Sequence, residues 1–114
     1  MNYDLEERTA KFGENVILLV KTLKGSDING PLIRQIIRSA TGVGANYMEA
    51  NQGSSKKDFK NKIRISQKEA NETKHWLRMI AVANPDKKEE CRKLWSEAHE
   101  LTLIFSKISK SCQF

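Results

Sequence analysis

Residues 91 to 112 place an apolar or small side chain at alternating intervals of three and four: Cys91, Leu94, Ala98, Leu101, Phe105, Ile108 and Cys112. That spacing gathers all seven on one face of an α-helix but scatters them over both faces of a strand. The stretch can bury its apolar residues together only as a helix. A stripe of the same kind runs through Leu5, Phe12, Val16, Leu19 and Leu23. Another joins Ile33, Ile36, Ile37, Ala40, Val43, Gly44 and Tyr47, and a further one joins Phe59, Ile63, Ser66, Ala70, Thr73, Leu77 and Ile80. No segment alternates for long and no Asn-Gly turn joins β-branched runs, so strands are not expected.

Capping and breaking residues set the ends. A first helix is predicted over 4–24, with Asp4, Glu6 and Glu7 leading and Lys21 and Lys24 trailing, which complements the helix dipole. Residues 25–30 read as a loop. Pro31 opens a second helix over 31–52, and Gly53 is placed to cap its end. Ser54 or Ser55 caps a third helix over 55–83, and Asn84-Pro85 starts a fourth over 86–111. Four such helices with short connections predict an all-α protein, an antiparallel up-and-down four-helix bundle forming one domain over 1–114.

Several function classes are excluded by what is missing. The longest apolar run, residues 16–20, has five residues, against about 20 for a membrane span. The first residues show no basic segment followed by an apolar one, so no secretory signal is expected and the cytoplasm is the expected location. Cys91 and Cys112, if they share one helix, stand about 31 Å apart at 1.5 Å per residue, so both are expected as free thiols. His75 and His99 sit at ligand spacing neither from each other nor from a cysteine, and no Glu-x-x-His pair occurs. Gly42-Val-Gly44 lacks the rest of a phosphate-binding loop and lies inside a helix. No catalytic residue, metal or cofactor is expected.

The net charge of +6 is concentrated. Residues 56–82 hold eight bases (Lys56, Lys57, Lys60, Lys62, Arg64, Lys68, Lys74 and Arg78) against Asp58, Glu69 and Glu72, which is +5 of that total. Lys56, Lys60, Arg64 and Lys68 follow one another at intervals of four, with Lys57 beside them, on a ridge opposite the Phe59–Ile63 core. Like charges so spaced repel mildly in an isolated helix, and a solvated face is the ordinary meaning of such a run. The ridge equally suits nucleic-acid phosphates or an acidic partner protein, and Lys and Arg serve both. It carries no interleaved aromatics, so base stacking on it is not indicated.

Two features point to self-association. On a helical wheel Gly42 falls on the side of the second helix away from its core stripe, aligned with Arg38, Ala45 and Glu49, where a second neighbouring helix would explain a small residue. On the third helix Ile65, Glu69, Glu72, Trp76 and Met79 form a row about 100° from the core stripe, with an apolar and acidic character that suits an interface. A wide core face that shields Trp76 within one chain is the other reading of the same row.

The stretch RQIIRSATGVGANYMEAN, followed by SSKKDFKNKIRISQKEANETKHWL, resembles the 23S ribosomal RNA intervening-sequence proteins. Their pattern is a small-residue helix ending in a glutamate, a Ser-x-x-(Asp/Glu)-Phe helix start, and a helix with spaced glutamates. Glu49, then Asp58 and Phe59, then Glu72 stand at those positions, and the outer two helices agree in length and pattern only. The resemblance implies an up-and-down bundle assembling as a ring-like homopentamer. It also implies kinship with accessory proteins of diversity-generating retroelements, which associate with nucleic acid and a reverse transcriptase.

Overall fold

A computed structural model of the chain describes residues 4–53 and 55–112. Four helices, α1 (Leu5–Val20), α2 (Asn29–Asn51), α3 (Lys56–Ala83) and α4 (Lys88–Ser111), follow one another, with a single 3₁₀ turn at Pro85–Lys87. Among the described residues there is no strand. α3 has 28 residues and is about 42 Å long, close to the 46 Å long axis of the molecule.

Every neighbouring pair runs antiparallel, as cross-helix contacts show. Arg38 pairs with Glu69 and Glu72, and Glu49 with Lys62, so α2 descends as α3 rises. Lys60 meets the Cys112 carbonyl while Lys74 meets His99, which sets α4 against α3 in the same sense. α1 closes the ring against α2 and α4. Its thinner side, towards α4, is held by Arg8, which donates from Nε and Nη2 to the Glu97 carboxylate at 2.8 and 2.9 Å and from Nη2 to Glu100 at 2.7 Å.

The four predicted stripes form the core. Phe12, Val16, Ile36, Ala40, Val43, Ile63, Ala70, Leu77, Ile80, Leu101 and Phe105 are all buried. The small, polar middle of the α3 stripe is the seam with α2. Ser66 Oγ donates across it to the Val43 carbonyl at 3.1 Å, and Thr73 Oγ1 lies 2.8 Å from Ser39 Oγ. Among the described residues no buried side-chain polar atom lacks a partner, so these hydroxyls let two helices approach without leaving a desolvated group unpaired.

The ends differ from the expected ones for local reasons. α1 stops at Val20, because Thr22 and Leu23 turn back in i→i+3 bonds to Leu19 and Val20. α2 starts two residues before Pro31, at Asn29, whose N–H donates to Ser26 Oγ at 2.9 Å. Asn29 and Asn84 then exchange amide hydrogen bonds at 3.0 and 2.9 Å, tying the start of α2 to the end of α3. Gly53 has no left-handed conformation, so it ends α2 without the expected cap geometry. Ser55 caps α3, accepting from the Asp58 N–H at 3.1 Å; Ser54 lies outside the described residues.

Candidate nucleic-acid interface

The helical register of α3 separates its charges by edge. The edge facing α2 carries Glu69 and Glu72, both held by Arg38, and Glu72 also accepts from Trp76 Nε1 at 2.9 Å. The outer surface carries the bases. Lys56, Lys57, Lys60, Asn61 and Arg64 line one shallow open concavity at the start of α3, with no acidic side chain in its wall. Lys56, Lys57, Arg64 and Lys68 are exposed. Lys60 is half-buried and its Nζ donates to the Cys112 carbonyl at 3.5 Å. Four of the five expected ridge residues therefore share one surface, and Lys68 continues it one turn further along α3. Lys62 is not part of it, because it turns to Glu49 at 2.7 Å. Lys107 and Lys110, both exposed near the end of the antiparallel α4, add positive charge at the same end of the bundle.

Chemically this surface can hold anions. Lys and Arg offer several N–H donors each and no acceptor, and cations crowded on one surface favour a ligand that brings negative charge. His75 packs edge-on to Trp76 and His99 stacks on Trp95, and among the described residues no three His, Cys, Asp or Glu groups are placed to hold a metal ion. Burial, together with nearby Glu90, pushes the Cys91 thiol up to about 11, so it stays neutral and unreactive. Cys91 and Cys112 are both free. No helix among the described residues is long and apolar enough to cross a membrane.

The residues expected at a subunit interface fall into two groups. Arg38, Glu69, Glu72 and Trp76 are joined within one chain, and Trp76 packs against the core. Glu49, though exposed, is likewise paired within the chain, with Lys62, whereas Ala45 and Ile65 are exposed and Met79 is half-buried. The placing of Gly42 needs correction. A Cβ at Gly42 would stand 3.3 Å from the Glu69 carboxyl, so this glycine faces α3 of its own chain. The sector of α2 that α3 covers is wider than a single apolar stripe implies.

Residues that sequence reasoning did not single out for binding are Asn61, which joins the ridge, and Lys88 and Trp95, which the antiparallel register brings beside Arg78. Trp95 stands off the α4 stripe by one residue, which is the one local signal it gave.

Similarity to known proteins agrees with this architecture. The model of the family described as 23S rRNA-intervening sequence protein matches residues 1–111. A crystal structure of a protein with unknown function from the S23 ribosomal protein family of Bacteroides thetaiotaomicron superposes with a TM-score of 0.82 at 30% identity, covering 93% of this chain and 98% of that one. No curated protein is significantly similar in sequence.

Proposed function

Because the chain belongs to the 23S rRNA-intervening sequence protein family, we propose for it a non-catalytic role as a basic homo-oligomer that holds nucleic acid by its phosphate backbone, with the outer surface of α3 as the contact. The observation that carries this reading is the segregation of charge on α3. Glu69 and Glu72 are held by Arg38 on the α2 side, while Lys56, Lys57, Lys60 and Arg64 share a concavity whose lining includes no acid. Like charges crowded on one surface cost stability through repulsion, and bound phosphate relieves that repulsion.

Phosphate contacts release counterions, so affinity for an RNA hairpin should fall steeply with salt, with a log–log slope of about −3 to −5 for four or five contacts. Lys57→Glu with Arg64→Glu replaces two exposed side chains and should weaken binding more than about tenfold while reducing the slope by about two. Fluorescence anisotropy over a salt series, with circular dichroism as the folding control, measures both. Salt-insensitive binding, or none at low salt, overturns the reading.

Assembly rests on apolar residues left in solvent away from the core. Ile65 is 37% exposed on α3, and Met48 is 48% exposed beside Ala45 on α2. A ring needs two different patches per subunit, and these lie on two helices. Light scattering at micromolar concentration should give a mass several times 13.0 kDa, reduced by Ile65→Glu. A monomeric parent protein, or an undiminished assembly in the variant, refutes this part.

A further inference from the structure

The outer line of α3 does not end at the ridge. Lys57, Arg64, Asn71 and Arg78 recur every seven residues and all four are exposed. On a straight helix such a line drifts by about 20° per repeat, and here it arrives beside α4, since Arg78 borders a groove built jointly by α3 and α4. Lys57 and Arg78 are separated by about 31 Å of helix rise.

That groove has about 190 Å³ of open volume, room for one planar ring system. Leu77, Ala81 and Cys91 make an apolar floor, Arg78, Lys88 and Arg92 stand around it, and Trp95 forms a wall. Arg92 is ion-paired with Glu89, whereas Arg78 and Lys88 have no charged partner among the described residues. Trp95 is 39% exposed, too much for a core residue of its size. Its ring is nonetheless held in place. His99 stacks on it at 5.2 Å and 14°, and Lys74 Nζ lies 5.0 Å from the ring centre and 3.1 Å from His99 Nδ1. An indole already fixed by two neighbours loses little freedom when a ligand arrives.

We propose that this groove takes one unpaired base of a single-stranded polynucleotide, stacked on Trp95, while the adjoining phosphates run from Arg78 along α3 to Lys57. The proposal rests on the phosphate-contact reading of the ridge and adds a requirement that the ridge alone does not make, an accessible base. An aromatic face beside unpaired cations, at the end of a basic track, is the arrangement that binds single strands with little regard to sequence. A paired base inside a duplex cannot reach Trp95, so a duplex engages the ridge only.

Three ligands separate the possibilities: a short oligouridylate, an abasic strand of the same length and charge, and a blunt-ended, fully paired RNA duplex. Trp95→Ala should weaken oligouridylate binding about tenfold or more, leave its salt slope unchanged and leave duplex binding unchanged. Trp95→Phe should retain most of the affinity, which separates stacking from misfolding. Oligouridylate should quench tryptophan emission and the abasic strand should not. If oligouridylate and the abasic strand bind alike, or Trp95→Ala binds like the parent, the stacking site is refuted while the ridge stands. If Trp95→Ala lowers the mass of the assembly, Trp95 is a subunit contact and the proposal falls. If none of the three ligands binds the parent protein at low salt, the ridge reading fails and takes this proposal with it.

Discussion

Phe105→Ala should destabilise the protein by about 3–5 kcal/mol, the range for emptying an aromatic side chain out of a packed core. Phe105 is fully buried on α4, and its ring stands 6.0 Å from that of Tyr47 on α2. α2 and α4 are diagonal partners whose backbones do not pack directly, since each neighbours α1 and α3 instead. Phe105 therefore spans the centre of the bundle, where no backbone can move in to fill the space. A cavity there should collapse little, which places the loss in the upper part of the range. For a chain of this size that corresponds to a fall of about 10–20 °C in Tm. Leu103→Ala is the control, because Leu103 is 57% exposed on the same helix and should change stability by less than about 0.5 kcal/mol. Equal shifts in the two variants, read by thermal denaturation, would show that the centre of the bundle is not where these residues place it.

That test probes what was readable from the sequence. Helix periodicity alone identified Phe105, Leu101 and Ala98 as inward-facing, because a stripe at intervals of three and four has only one way to be buried. The same reasoning placed Ile63, Leu77 and Ile80 on α3 and Phe12 and Val16 on α1, and all are buried. Contacts between positions far apart in the chain were not readable. Arg8 reaches Glu97 and Asn84 reaches Asn29, and nothing in either local segment announces its partner. The helix ends shifted because a serine hydroxyl at position 26 and a threonine hydroxyl at position 22 bind nearby backbone groups, and such local hydrogen bonds compete with the helix. The ridge was legible because all its residues lie on one helix. The groove at Trp95 was not, because it exists only once the α3–α4 register is set.

Glycines give the sharpest contrast between angle and neighbour, and Gly44→Leu should cost about 2–3 kcal/mol or more, as overpacking does. Gly44 sits where α2 crosses α1. A Cβ there would already stand 3.2 Å from Thr9 Oγ1. Thr9 cannot yield easily, since it is buried and its hydroxyl is bonded to the Leu5 carbonyl at 2.7 Å. A leucine would have to push α1 away, and α1 has its thinner contact on the far side, towards α4, where the Arg8 clamp holds it. Gly42→Ala should behave differently although it lies only two residues earlier. Its new methyl would meet the end of the Glu69 side chain at 3.3 Å, and a flexible carboxylate can give by a few tenths of an ångström. Replacing glycine inside a helix by alanine gains up to about 1 kcal/mol in helix propensity, so Gly42→Ala should be neutral or mildly stabilising. Thermal denaturation of the two variants beside the parent reads both signs. A Gly44→Leu protein as stable as the parent would mean that α1 and α2 are not in close contact at Thr9. A strongly destabilised Gly42→Ala protein would mean that the carboxylate of Glu69 is held more rigidly by Arg38 than a half-exposed ion pair allows.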